Sequence, residues 1–173
     1  VNDILERTLK TCRYEQRGVK ASTSPSMDIQ ISSNFERLLF LTYARDPNAV
    51  RHLMASLAQS GSFTIGDREL EQIRHEFGSG ATDEAETAQT IKRTLAETGE
   101  LLDPHTAVGY AVAREAPASA SPMVTLATAH PAKFPDAVEK ACGVRPGLPP
   151  RLVGDPDRIE QVLKGALRAL MRP

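Results

Sequence analysis

The chain has 173 residues, 40% hydrophobic and 25% charged, with a formal net charge of −1 and a pI of about 6.5. That length supports one domain, or one domain with an appendage, and lets a sizeable core be buried. The near-neutral balance excludes the basic footprint of a nucleic-acid or acidic-membrane binder. No apolar run approaches the roughly 20 residues needed to span a bilayer. The two cysteines, Cys12 and Cys142, lie far apart and outside any Cys-x-x-Cys pair, which fits cytosolic thiols better than a disulfide framework. The four histidines show no metal-ligand spacing, so no metal site is expected.

In chain order, Asn2 and Asp3 precede Ile4 and Leu5 and suit the N-cap of a short helix. Residues 20–23 form a weak strand candidate. Phe35, Leu38, Leu39, Thr42 and Tyr43 repeat at helical spacing, with Ser32, Ser33 or Asn34 available as the cap. Asp46 and Pro47 open a second helix with Val50, Leu53, Met54, Leu57 and Ala58 on one face and Gly61 as its stop. A third helix is predicted over about 67–77, with Leu70, Ile73 and Phe77 inward and Gly78 after it. A fourth spans about 83–98, capped by Thr82 and ended by Gly99. These four read as one helical layer at about 33–99.

Asp103 and Pro104 start a further helix. Residues 115–122, rich in alanine, serine and proline, read as a surface connection. Residues 123–128 are the best strand candidate, being short, apolar and bounded by proline and polar residues. Pro135, with Asp136 and Glu139, opens an amphipathic helix. A proline- and glycine-rich linker over 144–156 then leads to a last helix, where Ile159, Val162, Leu163, Ala166, Leu167, Leu170 and Met171 follow helical spacing.

The junction at residues 123–136 is the most informative stretch. An apolar run ends abruptly in the hydroxyl of Thr128, the imidazole of His130 and the ammonium group of Lys133, just before a helix. In open α/β sheets, ligands sit at the carboxyl ends of strands beside helix N-termini, and these groups suit an anionic, partly aromatic ligand. An ordinary strand, turn and capped helix would account for the same residues.

The string Thr128-Ala129-His130-Pro131-Ala132-Lys133-Phe134 resembles the signature near the C-terminus of bacterial and fungal-type threonine synthases. These pyridoxal 5'-phosphate enzymes convert O-phosphohomoserine and water to threonine and phosphate. Further matches follow in the family's order: Asn2-Asp3-Ile4-Leu5, Ser24-Pro25-Ser26-Met27-Asp28-Ile29, Ser32-Ser33-Asn34-Phe35-Glu36-Arg37, and Leu101-Leu102-Asp103-Pro104-His105-Thr106. The resemblance runs from Val1 to about Pro150. It implies a helix-rich α/β fold, the C-terminal portion of a fold-type II, tryptophan synthase beta-like enzyme. Residues 1–150 would belong to the catalytic region and 151–173 would form a C-terminal helix.

In the family, the Schiff-base lysine and the glycine-rich phosphate loop precede the Asn-Asp-Ile-Leu segment. The resemblance therefore implies a cytoplasmic enzyme whose N-terminal part is missing here, with no catalytic lysine in this chain and no activity of the chain alone. Its partners would be O-phosphohomoserine and that N-terminal part, with neither nucleic acid nor membrane.

By the same resemblance, Thr128 meets the pyridine nitrogen of the cofactor, where a hydroxyl moderates the electron sink more gently than a carboxylate would. His130 and Lys133 are candidates for the phosphate or carboxylate of the substrate. His105 and Thr106, on the first turn of a helix, are candidates for anion contact, although Asp103 and Pro104 are explained by capping alone. Asn2 and Asp3 are candidates for substrate contact or for capping. Two rivals remain: a non-catalytic helical binding or assembly module derived from such an enzyme, and a related pyridoxal-phosphate lyase with another substrate.

Overall fold

The computed structural model describes residues 2–117 and 120–150. Helix α1 (Ile4–Thr11) ends at Cys12, whose left-handed φ of 59° turns the chain into strand β1 (Arg13–Glu15). This strand pairs antiparallel with β2 (Ser62–Thr64), placing Tyr14 opposite Phe63. The two rings stack at 4.8 Å, and Tyr14 also stacks on Phe35 at 5.6 Å. Such aromatic pairs add to the burial of their area. Helices α2 (Phe35–Thr42), α3 (Pro47–Ser60) and α4 (Asp67–Glu76) close around the ribbon, burying Leu39, Leu53, Leu57, Ile65 and Ile73.

Two side chains lock this first core. The Tyr14 hydroxyl accepts the Ser32 N–H at 2.8 Å, and Arg74 donates to the carbonyls of Leu9 (2.8 Å) and Lys10 (3.0 Å). The guanidinium thereby satisfies carbonyls that the last turn of α1 leaves unpaired.

A second core forms where α5 (Glu84–Thr98) packs against α6 (Pro104–Glu115) and α7 (Pro135–Cys142), centred on Ile91, Ala107 and Val138. The inward face of α5 carries Thr87, Thr90 and Thr94, and that of α6 carries Ala107 and Ala111. The four helices expected as one layer thus divide between two cores. Thr23 N–H donates to Glu84 Oε2 at 3.0 Å, and Ser26 N–H to His105 Nε2 at 3.1 Å, tying the loop that leaves the first core to the second.

Several expectations hold. Asp46 caps α3 through the Asn48 N–H at 2.8 Å, and Gly61 and Gly99 stop α3 and α5 in left-handed geometry (φ 71° and 78°). Others are corrected. Asp83, not Thr82, caps α5 by accepting the Glu86 N–H. No side chain caps α2: the Ser32 backbone carbonyl accepts the Phe35 N–H instead, while the Ser32 amide is taken by Tyr14. Helix α4 stops at Glu76, and Phe77 is extended and half-exposed rather than inward.

Neither expected strand forms. Residues 123–128 are irregular and find no ladder partner among the described residues, and Val124 and Leu126 are each 75% exposed. A strand exists only where a neighbour takes its N–H and C=O groups, and the two short strands lie in the first core. Around residues 20–23, side chains replace the ladder. Asn2 donates to the Lys20 carbonyl (2.6 Å) and accepts its N–H (3.0 Å), while Asp28 accepts the Ser22 N–H and hydroxyl. The strands that do form are three residues each, too short to show a period. Residues 144–150 are irregular, as a linker should be, and the helix expected at 151–173 lies outside the described residues.

Tyr14→Phe should lower the unfolding free energy in urea by about 1 kcal/mol, and Tyr14→Ala, which also removes the stack, by about 3–5 kcal/mol. Burial raises the Tyr14 phenol above its ordinary 10.0, although the Ser32 hydrogen bond pulls the other way. The unfolded phenol therefore ionises first as pH rises. Stability should be undiminished below its ordinary value and fall above it, a fall that Tyr14→Phe should reduce in pH-stepped urea melts.

Candidate functional site

The site is organised by a carboxylate that water does not reach. Asp103 is fully buried, at the N-cap of α6. Its Oδ1 accepts the His105 N–H (2.9 Å) and His105 Nδ1–H (3.0 Å); its Oδ2 accepts the Thr106 N–H (3.3 Å) and the Thr106 hydroxyl. Burying a charge is tolerable only with such donors in place, and here local spacing supplies all four. Positions two and three beyond the cap offer both backbone amides, and histidine and threonine add side-chain donors.

Each donor carries the arrangement outward. With Nδ1 donating to Asp103, His105 keeps Nε2 as an acceptor, and that atom takes the Ser26 N–H. The imidazole is buried and packs against Phe134 at 4.6 Å. The Thr106 hydroxyl gives its proton to Asp103 and accepts the Thr128 N–H at 3.1 Å. Thr128 is itself exposed, and its own hydroxyl makes no hydrogen bond among the described residues.

Beyond it, His130 Nδ1 accepts the Ala132 N–H at 3.1 Å and caps a 3-10 turn over Pro131–Lys133. Lys133 is exposed, 5.7 Å from the Phe134 ring centroid, and forms no ion pair among the described residues. Thr106 and His130 line one cleft of about 440 Å³ together with Ala127 and Ala129.

Asn2 and Asp3 stand elsewhere, in a cleft of about 650 Å³ that also takes in Lys20, Ser24, Asp83 and Glu84. Asn2 staples residues 20–28, donating to Asp28 at 2.7 Å besides its bonds to Lys20. Asp3 occupies the cap position of α1 but makes no capping bond; it accepts from Arg7 Nε at 2.8 Å. Burial pulls the Asp3 carboxyl up, yet the Arg7 guanidinium outweighs it and holds the group below its ordinary value.

The structure thus joins His105, Thr106 and Thr128 in one hydrogen-bonded group, sets His130 and Lys133 beside it, and keeps Asn2 and Asp3 apart. From its sequence context Asp103 is legible only as a cap. Its wider role was signalled by two side-chain donors falling at the positions whose amides the cap already binds. His105→Leu should cost about 1–3 kcal/mol of unfolding free energy and speed amide exchange at Ser26, since both hydrogen bonds of the ring disappear. An unchanged Ser26 exchange rate would show that the imidazole does not hold that loop.

Comparison with known proteins agrees with the fold. The family model for the C-terminal part of threonine synthase matches residues 106–167. The threonine synthase of Pseudomonas aeruginosa is 48% identical over 153 residues, which is 87% of this chain and 33% of that protein. The crystal structure of PLP-bound threonine synthase from Brucella melitensis superposes with a TM-score of 0.85 at 61% identity, covering 87% of this chain and 32% of that one. The yeast threonine synthase structure gives a TM-score of 0.75 at 32% identity, covering 94% and 36%. The chain spans about a third of the length of the relatives it matches. Over 87% of its length the chain is thus similar to the C-terminal part of threonine synthases.

Proposed function

We propose that this chain serves as the C-terminal part of a pyridoxal-phosphate-dependent threonine synthase, a lyase that takes O-phosphohomoserine, and that Thr128 is its contact with the cofactor ring nitrogen. The observation that carries the reading is Thr128 itself: its backbone is anchored while its exposed hydroxyl has no partner among the described residues. That hydroxyl can donate to or accept from a ring nitrogen without bringing a full negative charge. When bound, pyridoxal phosphate supplies the electron sink for the chemistry at the substrate carbons.

The other residues take supporting parts. Lys133, an exposed cation without an anionic partner among the described residues, suits the phosphate or carboxylate of the substrate. His130 retains one ring nitrogen for a similar contact, since the Ala132 N–H occupies the other. His105 has both ring nitrogens engaged internally, so its part is to hold the loop at Ser26 against α6. Asn2 and Asp3 shape the other cleft through residues 20–28 and Arg7. In this reading the Schiff-base lysine is not among the residues of this chain, so the chain alone releases no phosphate.

The test is complementation. The remaining two thirds or so of the Pseudomonas aeruginosa enzyme, joined to this chain in place of its own matching segment, should bind pyridoxal phosphate and release phosphate from O-phosphohomoserine. This chain by itself should not. A fused protein that folds and binds the cofactor yet leaves O-phosphohomoserine intact would exclude the substrate and favour a non-catalytic module. In the active fusion, Thr128→Val should lower kcat/KM about tenfold, the equivalent of one lost hydrogen bond of about 1.4 kcal/mol.

A further inference from the structure

Thr106 carries a bond that its helix does not need. The N-terminal turn of α6 is already capped when Asp103 accepts the amides of residues 105 and 106. The Thr106 hydroxyl nevertheless donates to the same buried carboxylate, which fixes its proton and leaves its lone pairs facing away from Asp103. One of them receives the amide of Thr128, 22 residues on. A hydroxyl that donates to a carboxylate is polarised into a better acceptor, so the two bonds reinforce each other.

The segment that receives this anchor has no ladder partner among the described residues, although its half-buried Thr125 turns its methyl toward Gly109 of α6. Residues 123–128 lie in no helix and no sheet, and Met123, Val124 and Leu126 are exposed. Among the described residues, the bond to Thr106 is the one hydrogen bond that holds the Thr128 backbone. The bond to Thr106 joins it to the first turn of a helix whose Ala107 is fully buried.

We infer that Thr106 is a positioning residue, oriented by Asp103, that fixes the Thr128 amide and so aims the Thr128 hydroxyl at the cofactor ring. This rests on the reading of Thr128 given above. Thr106 accordingly acts through Thr128 and does not touch the substrate itself. The pair works as a relay from a buried charge to an exposed hydroxyl, and its conservative replacement is serine, which keeps the oxygen.

The experiment uses the cofactor-loaded fusion that contains the whole of this chain. In the unaltered protein, the Thr128 amide should exchange slowly although the residue is exposed; rapid exchange there would overturn the inference without any variant. Thr106→Val should then speed exchange at Thr128 by about tenfold or more while the interior amides of α5 and α6 keep their protection. It should also move the visible absorption of the bound cofactor in the same direction as Thr128→Val, and Thr106→Ser should restore both signals. If Thr128→Val moves the absorption and Thr106→Val does not, the positioning role falls and the reading of Thr128 stands. If Thr128→Val leaves the absorption unmoved, the reading of Thr128 fails and the aiming role fails with it.

Discussion

The buried carboxylate of Asp103 is the constraint on which the site depends. A charge removed from water must be met by donors on every side, and an incomplete set would cost several kcal/mol. Asp103 meets this condition with two residues that follow it almost immediately, His105 and Thr106. Because those residues satisfy the charge with side chains as well as amides, their orientations are no longer independent. The imidazole is held in the tautomer that reads Ser26, and the hydroxyl in the rotation that reads Thr128. One buried charge thus settles contacts that reach 79 residues back from His105 and 22 forward from Thr106.

The same arrangement explains how two modest cores work together. The first is built on stacked rings around a three-residue ribbon, the second on small side chains between three helices. Between them runs the loop over residues 20–29, stapled by Asn2 and Asp28 on one side and held by Glu84 and His105 on the other. Residues 123–127 differ in kind. They are irregular, with Met123, Val124 and Leu126 exposed and no ladder partner among the described residues. A near-continuous apolar run is the pattern of a strand covered on both faces, and this chain spans about a third of its relatives' length. Hydrophobic pattern and observed environment therefore disagree at this segment, next to the residues that the family signature singles out.

Helix starts and stops were legible where a single residue carries them. Asp46 before Pro47, Asp103 before Pro104, and Gly61 and Gly99 after their helices act through local backbone chemistry, which short stretches of sequence express in full. The caps at Ser32–Asn34 and Thr82 were misread because several hydroxyl, amide and carboxylate groups competed. The choice among them fell to Tyr14 and to helix geometry. Phe77 was misread because periodicity counts an aromatic as inward, while the helix ended one residue earlier.

By itself, the sequence determined the class of the protein. Helical spacing set a helix-rich fold, and the ordered motifs from Asn2 to Phe134 carried the likeness to the C-terminal part of threonine synthases. The tertiary structure alone decided what Thr106 and His105 do. Whether a hydroxyl or imidazole faces a ligand or a buried carboxylate depends on which other segment arrives beside it, and here Ser26 and Thr128 arrive from distant parts of the chain. The same holds for residues 123–128. Apolar composition is written in the chain, but a strand exists only when a neighbour receives its hydrogen bonds, and pairing of that kind belongs to two segments at once.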